Sequence, residues 1–479
     1  MSDALRRAAG VRPGAPALDD GDRVWSYAEM DAAVARTARR LAPLGAAPGR
    51  TVALVAHQST LAVQALFAVP RTGATLAVLN PRLGPEALER ALNDVAPDLL
   101  LSTEADVYEL GVDRGWFTTL DDLPKPPPDH QSAEGLRTPT DVRRAFALLW
   151  TSGTSGTAGI VPITWAALDA SAQAVSERLE LNVEDRWYGS LSIAHIGGLA
   201  LVHRVVHVGC CLVIRGTYSV GTFVDLLNRS EITHASLVPT MLEQLLDARG
   251  DTVGDRGGDR GVPEALRCLL VGGAAASDRL VEAAVSLGYP VALTYGLTEA
   301  CSQVATAPPA LVREKLGTVG LPLSGVEVRV ADDGEVSVKG PTVSETSCDE
   351  DGWLATGDQG LLDDEGHLWI TGRLGEGIIS GGVNVDPRRV EEIVLDMPGV
   401  AAAAVVGIPD TTWGEVVGAL LVPESGPLDL ESVEAALRER VSSSEAPRRL
   451  AIAEEIPRNA NGKVDRVAVR ALLLKPGPA

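Results

Sequence analysis

The sequence predicts an α/β protein with a large N-terminal domain of layered α/β subdomains and a smaller α+β C-terminal lid domain, divided into residues 1–375 and 376–479. Three observations support this prediction. The chain of 479 residues is long enough for about three domain-sized units. Apolar, strand-like runs alternate with amphipathic helical patterns along most of the chain. After about residue 373 the segments become shorter, and they suffice for one small domain.

The first long helix is predicted from Ser26, where SYAEMDAAVARTARRLAPLG opens with a capping box of Ser26 and Glu29 and closes near Gly45. A strand follows in RTVALVAH, then a helix in TLAVQALFAV and a strand in GATLAVL. The same alternation recurs around residues 200 to 300. Two polar stretches rich in Pro or Gly, 123–141 and 247–264, interrupt the alternation, and we interpret both as surface loops.

The C-terminal segment predicts a mixture of short helices and strands. A helix is expected with Asp386 as its cap and Pro387 in its first turn. Strands are expected in AAAAVVGI and EVVGALLV, and a second helix in LESVEAALRERV. This mixture indicates a small α+β domain.

Composition excludes several classes of protein. The 42 Lys and Arg residues against 64 Asp and Glu give a net charge of −22, which repels polyanions, so no nucleic acid partner is expected. The five cysteines show neither metal-ligand spacing nor the density of a disulfide scaffold, which fits a reducing cytoplasm. The most apolar stretch, HIGGLALVHRVVHVGCCLVI, is interrupted by His203, Arg204 and His207, so we expect no membrane span. A homo-oligomer is compatible with the sequence.

The stretch TSGTSGTAGI at 151–160 has the composition of a phosphate-binding loop. It follows the apolar run RAFALLW, and a helix is expected in VPITWAALDASAQAVSERL after it, so backbone N–H groups and hydroxyls would face a phosphate. It is not a Walker loop, because that motif requires a lysine. Clusters of Ser, Thr and Gly are also common in plain loops, and this motif alone leaves both interpretations open.

A second motif is LTYGLTEACSQ, which follows an apolar strand. Tyr295 offers a ring face, Thr298 a hydroxyl and Glu299 a carboxylate, and a magnesium–nucleotide site could use all three. The alternative is a strand end followed by a capped helix.

The third and fourth motifs lie further along the chain. DGWLATGDQGLLDDEGHLWITGR predicts a hairpin with Asp358 and Arg373 at the two ends of the ribbon, where they would bind the hydroxyls of a ribose or form an ordinary exposed ion pair. IPRNANGKVDR predicts a turn that exposes Lys463. This ammonium is either solvated surface or the positive charge that the 151–160 loop lacks.

In this order and over this separation, the four motifs resemble those of the adenylate-forming superfamily of acyl-CoA synthetases, adenylation domains and luciferases. SGGVNVDPRRVEE is a further match, and the resemblance spans nearly the whole chain. It implies ATP, Mg²⁺ and coenzyme A as cofactors and a small-molecule carboxylic acid as substrate.

The resemblance also implies roles for individual residues. The ATP phosphates would be gripped by the loop of Thr151, Ser152, Gly153, Thr154, Ser155, Gly156 and Thr157, with Thr298 on the α-phosphate and Glu299 on Mg²⁺. The adenine would be flanked by Gly273, Ala274, Ala275, Tyr295 and Gly296, and the ribose bound by Asp358 and Arg373. Lys463 would bridge acyl carboxylate and phosphate. After rotation of the small domain about Glu376, a channel for the coenzyme A thiol would form with Ser380, Gly381 and Gly382.

Within that superfamily, the segments HIGGLALVHRVVHVG, THASLVPTMLEQLL and YGLTEACSQVAT followed by KLGTVGLPL resemble the o-succinylbenzoate-CoA ligase family of menaquinone biosynthesis. This resemblance implies that His195 lines the acyl pocket, with Leu297 and Ser302, and that Arg204 faces the distal carboxylate of the acid. A guanidinium suits such an anchor. The alternative for His195 and Arg204 is a helix with one polar stripe.

The chain departs from the family pattern at three places. Thr157, Ala158, Gly159 and Ile160 replace the usual Lys-Pro-Lys-Gly, so the ammonium that assists the pyrophosphate is absent. Glu376 stands at the hinge in place of the usual Asp or Lys, and Asp386 stands before Pro387 in place of the usual tyrosine or similar residue. Two alternatives therefore stay open: a catalytically silent nucleotide-binding homologue, and a ligase of another aryl or fatty acid.

Overall fold

The computed structural model describes residues 3–102, 117–119, 123, 143–151, 159–249, 261–375, 377–380, 383–459 and 464–475. The α-helices within these ranges are α1 (Ala4–Val11), α2 (Tyr27–Leu41), α3 (Thr60–Arg71), α4 (Pro85–Val95), α5 (Trp165–Arg178), α6 (Ile196–Val208), α7 (Val220–Asn228), α8 (Pro239–Ala248), α9 (Asp278–Ser286), α10 (Pro309–Glu314), α11 (Pro387–Leu395), α12 (Leu430–Arg440) and α13 (Arg466–Leu473).

The strands are β1 (Pro16–Asp19), β2 (Val24–Ser26), β3 (Thr51–Val55), β4 (Thr75–Leu79), β5 (Leu99–Ser102), β6 (Phe117–Thr119), β7 (Ala145–Thr151), β8 (Gly159–Thr164), β9 (Arg186–Tyr188), β10 (Cys211–Val213), β11 (His234–Leu237), β12 (Cys268–Val271), β13 (Val291–Leu297), β14 (Ser302–Ala307), β15 (Glu327–Val330), β16 (Glu335–Lys339), β17 (Leu354–Leu362), β18 (Leu368–Arg373), β19 (Ile378–Ser380), β20 (Val383–Val385), β21 (Val400–Asp410), β22 (Gly414–Pro423) and β23 (Arg449–Ile452).

Six strands form the first sheet, in the order β6-β5-β3-β4-β7-β8. All neighbours are parallel except β7 and β8, which are antiparallel. Apolar side chains of β3, β4 and β5 pack with Leu88 and Leu92 of α4 in one buried cluster. The strands predicted in RTVALVAH and GATLAVL are β3 and β4, and the helix predicted in TLAVQALFAV is α3.

Eight strands form the second sheet, in the order β14-β13-β12-β11-β9-β10-β1-β2. Strands β9 to β13 are parallel to their neighbours, and β14 and β2 are antiparallel at the two edges. Phe223 of α7, Leu242 of α8 and Val281 of α9 close the buried core on one face of this sheet. The alternation predicted around 200 to 300 is confirmed.

The observed helix boundaries agree with the local sequence signals at some positions and differ from them at others. The capping box at Ser26 and Glu29 is present, and α2 ends at Leu41, followed by a 3₁₀ turn to Gly45, whose φ is 101°. The prediction of a helix throughout VPITWAALDASAQAVSERL is wrong in its first part, because VPIT belongs to the edge strand β8 and the helix starts only at Trp165. β-Branched residues favour a strand, and Pro162 is tolerated there because β8 is an edge.

The C-terminal residues form an α+β unit of their own. Strands β21 and β22 pair antiparallel over their length, and β23 joins β22 in parallel. Helices α11 and α12 cover one face of this sheet through Val390 and Leu437, and α13 covers the other through Val469 and Leu473. Asp386 caps α11 by accepting from the backbone N–H of Arg388, as predicted.

The chain divides into two compact units. One comprises residues 1–329, 337–355 and 362–369, and the other comprises 330–336, 356–361 and 370–479, so the strands β15 to β18 are divided between them. The boundary predicted between residues 375 and 376 stays a prediction. The stretches predicted as surface loops lie largely outside the described residues. Within those residues, every helix is too short or too polar to span a bilayer.

Candidate active site

The parallel strands β9, β11, β12 and β13 have their carboxyl ends on one side of the eight-stranded sheet. Several of the predicted site residues follow these strand ends. His195 comes after β9, Gly273 to Ala275 come directly after β12, and Tyr295 to Glu299 form the end of β13 and the turn beyond it. Ligands of open α/β sheets bind in the crevice outside the carboxyl ends of the strands. Gly273, Ala274 and Ala275 are exposed there, and Tyr295 is half-buried.

The turn after β13 has a constrained backbone. Residues Thr298–Ala300 form a 3₁₀ turn, and Cys301 and Ser302 follow with φ angles of 50° and 95°, which L-residues rarely adopt. A Cβ on Gly296 would lie 1.7 Å from the carbonyl oxygen of Ser302, so only glycine fits in this position of the strand pair. The turn thus presents Thr298 and Glu299 on a tightly folded segment between β13 and β14.

Two hydrogen bonds from outside the turn hold it in place. The buried hydroxyl of Ser171 on α5 donates to the carbonyl of Cys301 at 2.9 Å. The backbone N–H of Ser344 donates to the carbonyl of Glu299 at 2.7 Å. The carboxylate of Glu299 is half-buried, and among the described residues no arginine or lysine pairs with it. Its charge is therefore available to a cation, and oxygen donors are the ligands that Mg²⁺ prefers.

His195 follows β9 of the eight-stranded sheet and contacts a residue on the six-stranded sheet's side of the site. It directly precedes α6, and its Nε2 lies 3.3 Å from Nδ2 of Asn80, the residue that follows β4. In the parallel pair β4 and β7, Val78 is opposite Leu149, and Asn80 and Thr151 each lie two residues further on. Thr151, the first residue of the 151–157 loop, therefore lies at the carboxyl ends of the six-stranded sheet, as does Asn80, which contacts His195. Residues 152–157 themselves lie outside the described residues.

Arg204 lies on α6, nine residues beyond His195, and is only 1% exposed. Its guanidinium carbon lies 5.2 Å from the ring centroid of Trp187, and its Nε has no hydrogen-bond partner in the part of the chain that the structure describes. No carboxylate among the described residues pairs with it. Burial lowers the pKa of Arg204 to about 10, so the side chain is still charged at neutral pH.

Within the described ranges, the neighbours of Arg204 supply no counterion. Its electrostatic neighbours are the buried thiols of Cys210, Cys268 and Cys301. Burial raises the pKa of both Cys268 and Cys301 to about 12, and it also raises the pKa of Cys210, so these thiols stay neutral. A buried cation without a counterion is costly unless an anion binds to it.

Strands β17 and β18 bring Asp358 and Arg373 together. Nε of Arg373 lies 3.7 Å from Oδ1 of Asp358, and both side chains are partly exposed. The backbone N–H of Leu374 donates to the carbonyl of Gly357 at 2.7 Å, which closes this end of the ribbon. The predicted hairpin is present, and the pair forms a polar site at its open end.

Other predicted residues lie at or beyond the limits of the described chain. Ser380 is the buried last residue of β19. Glu376, Gly381, Gly382 and Lys463 lie outside the described residues. For these positions, the roles implied by the sequence stay predictions.

Comparison with known proteins identifies the family. Residues 5–346 match the AMP-binding enzyme family, and residues 389–463 match the AMP-binding enzyme C-terminal domain. The chain belongs to the AMP-binding enzymes. The resemblance predicted from the four motifs is thereby confirmed.

The relatives of this AMP-binding enzyme are similar along their whole length. The 2-succinylbenzoate–CoA ligase of Bacillus subtilis (strain 168) is 33% identical over 483 residues, which cover 96% of each chain. Two structures of o-succinylbenzoate coenzyme A synthetase from Bacillus subtilis are similar to this fold. The complex with the acyl-adenylate intermediate has a TM-score of 0.88 at 31% identity and covers 98% of each chain. The complex with ATP and magnesium ion has a TM-score of 0.86 at 32% identity and covers 98% of this chain and 99% of that one.

Sequence reasoning missed three residues of this AMP-binding enzyme that position the site. Asn80 could have been noticed, because an Asn-Pro pair directly after an apolar strand is a turn signal at a strand end. Ser171 and Ser344 had no such signal. Ser171 is one of several small polar residues on its helix, and Ser344 contributes through its backbone, which no side-chain pattern predicts.

Proposed function

We propose that this AMP-binding enzyme is an ATP-dependent acid–CoA ligase that converts o-succinylbenzoate to o-succinylbenzoyl-CoA through an acyl-AMP intermediate, as a step of menaquinone biosynthesis. Two kinds of evidence support the proposal. The full-length relatives are ligases of this acid. The single structural observation that supports the acid is the buried guanidinium of Arg204, which no described carboxylate neutralises.

The chemistry of the acid explains why such an arginine is useful. When one carboxylate of a dicarboxylic acid reacts, the other enters the pocket as an anion, and a buried anion requires a partner. A guanidinium is the strongest such partner because it can donate two parallel hydrogen bonds to one carboxylate. We infer that Arg204 binds the carboxylate that does not react, and that His195, Leu297 and Ser302 line the rest of the acyl site.

In the first step, a carboxylate oxygen of the acid attacks the α-phosphorus of MgATP. A new P–O bond forms, the bond between the α- and β-phosphates breaks, and pyrophosphate leaves. We assign the α-phosphate to Thr298, the magnesium of the nucleotide to Glu299 and the charge on the reacting groups to Lys463. The loop 151–157 binds the other phosphates, Tyr295 and Gly296 with residues 273–275 bind the adenine, and Asp358 with Arg373 binds the ribose.

In the second step, the thiol of coenzyme A loses its proton and attacks the carbonyl carbon of the acyl-AMP. The C–S bond forms and AMP leaves. We assign the thiol channel to residues 380–382, which become available when the small domain rotates about Glu376.

Acid-dependent exchange of labelled pyrophosphate into ATP tests the first step directly. With Mg²⁺ and o-succinylbenzoate we expect exchange, and with coenzyme A added we expect the thioester by mass spectrometry. Benzoate and a fatty acid serve as controls for the choice of acid. A preparation that binds ATP but exchanges pyrophosphate with none of these acids would favour a silent nucleotide-binding homologue. Exchange with a control acid alone would favour a ligase of another substrate.

A further inference from the structure

A cluster of metal-ligand residues lies between helices α5 and α6, and the proposed ligase reaction does not use it. Asp169 of α5 faces His203 and His207 of α6. Nε2 of His203 lies 2.8 Å from Oδ1 of Asp169, and Nδ1 of His207 lies 3.4 Å from the same oxygen. One ligand atom from each residue falls within 4.8 Å of the other two.

These distances suit the coordination shell of a small divalent ion. With bonds of about 2.0–2.1 Å to nitrogen and oxygen, neighbouring ligands of a tetrahedral Zn²⁺ ion are about 3.3 Å apart. The 3.4 Å separation already has this value, and the 2.8 Å separation has to widen by about half an ångström. The two histidines are four residues apart and lie on one face of α6, a spacing used for metal binding on helices.

The exposure of two of these residues also suits a metal ion. Asp169 and His207 are 26% and 28% exposed, so water can supply the fourth ligand.

We propose that Asp169, His203 and His207 form a binding site for a transition-metal dication of the Zn²⁺ type, completed by water. Two imidazole nitrogens and one carboxylate oxygen favour Zn²⁺ or Co²⁺ over Mg²⁺, which prefers an all-oxygen shell. The ion bridges α5, which carries Ser171, and α6, which carries Arg204. This site is independent of the magnesium of the nucleotide.

Arg7 is the main competitor for the carboxylate. Its Nη2 lies 3.4 Å from Oδ1 of Asp169, and its side chain is 37% exposed, so it can turn towards water when a cation binds. The only other such cluster among the described residues, Asp363, Glu365 and His367, already contains an ammonium. Nζ of Lys315 lies 3.0 Å from Oδ2 of Asp363 and 3.3 Å from Nδ1 of His367. That cluster therefore provides a matched control.

The test is Co²⁺ titration of the untagged full-length protein, followed by visible absorption. We expect the d–d bands of a four-coordinate Co²⁺ ion at one equivalent, unaffected by excess Mg²⁺ and abolished by Zn²⁺. His207→Ala and Asp169→Asn should each weaken Co²⁺ binding at least about tenfold, since even outer-shell partners of metal ligands contribute 10- to 100-fold. Arg7→Gln should strengthen binding, and His367→Ala should leave it unchanged.

Thermal unfolding of each variant shows whether it folds, and His207→Gln replaces His207→Ala if the alanine variant does not. The absence of visible bands in the parent protein would overturn the proposal. So would bands that persist in both His207→Ala and Asp169→Asn, or bands that His367→Ala removes to the same extent.

Discussion

Two buried arginines, Arg71 and Arg204, differ in whether a carboxylate of the fold neutralises their charge. Arg71 is 1% exposed, and its Nε and Nη2 donate to the two carboxylate oxygens of Asp3 at 2.6 and 2.9 Å. Arg204 is equally buried, and among the described residues it contacts the ring of Trp187 but pairs with no carboxylate. A buried charge is stable when it is paired, so the charge of Arg71 is satisfied within the fold. No such pairing neutralises Arg204 within the described residues, and the proposed function assigns it to a carboxylate of the substrate.

Replacement of Arg204 by leucine tests this difference. We expect Arg204→Leu to raise the Michaelis constant for o-succinylbenzoate about 10- to 100-fold, because hydrogen bonds to charged groups contribute roughly 1.5–3 kcal/mol. A monocarboxylic analogue should be nearly unaffected or improved, since no anion is left unpaired. Steady-state kinetics with both acids measure the effect.

The melting temperature provides the control for Arg204→Leu. An unpaired buried cation does not stabilise the fold, so the leucine variant should be as stable as the parent or more stable. Equal losses on both acids, together with a lower melting temperature, would show that Arg204 is a structural residue.

Asp3→Asn should destabilise the fold by about 3 kcal/mol, because it removes one partner of a buried ion pair. Burial opposes ionisation of Asp3, but Arg71 outweighs it and holds the pKa of Asp3 below its ordinary value. The stabilisation is therefore complete above about pH 4, the pKa of an unfolded aspartate, and is lost as the pH falls through the lower folded pKa. Denaturant unfolding at pH 7 and pH 3 measures both effects.

The matched control for Asp3→Asn is Glu434→Gln, which breaks the exposed pair with Arg438. Exposed pairs contribute about 0–1 kcal/mol, so this variant should be close to the parent at both pH values. If Asp3→Asn loses no more stability than this control, the ion pair of Asp3 and Arg71 does not stabilise the fold as we expect.

At the scale of elements, the connection between α5 and the turn after β13 predicts a second effect. Ser171→Ala removes the hydrogen bond to the carbonyl of Cys301, which lies directly after the turn that presents Thr298 and Glu299. We expect a loss of about 1 kcal/mol in stability. The Michaelis constant for MgATP should rise severalfold while that for the acid changes little, and Ser171→Thr should restore it in part.

Ser176→Ala is the control on the same helix, because the hydroxyl of Ser176 donates within the helix to the carbonyl of Ala172 at 2.5 Å. If both alanine variants change the Michaelis constant for MgATP equally, Ser171 has no special connection to the turn.

Elements with strong local signals could be predicted from the sequence. The capping box at Ser26, the cap at Asp386 and the apolar runs of β3 and β4 each follow from residues within a few positions. The strand β8 could not be predicted in the same way. Its residues follow a glycine-rich turn as a helix would, and pairing with β7, a tertiary interaction, decides its conformation.

In the candidate site, too, local motifs predict some features and tertiary packing decides others. The motifs around Tyr295, Asp358 and Lys463 predict its residue types and their order along the chain, and the roles of these residues stay predictions. The contact between Asn80 and His195 could not be predicted, because these residues are 115 positions apart in the chain and only tertiary packing brings them together. The burial of Arg204 among neutral thiols is also a property of the packed core and not of any local pattern.

At the scale of the whole molecule, the two compact units and the position of Lys463 predict a separation of the two half-reactions. Lys463 lies within residues 389–463, which match the C-terminal domain of the family. If this lysine serves only the orientation that forms the acyl-AMP, Lys463→Ala should slow pyrophosphate exchange about a hundredfold or more, as the loss of one preorganised charge contact does. Thioester formation from supplied acyl-AMP and coenzyme A should be nearly unchanged, because the thiol attacks in the other orientation. Lys475→Ala, which changes the next lysine along the chain, is the control and should affect neither rate. The two rates are measured by labelled pyrophosphate exchange and by release of AMP from synthetic acyl-AMP. Equal losses in both half-reactions would contradict the rotation, since the lysine would then act in a single arrangement that serves both steps.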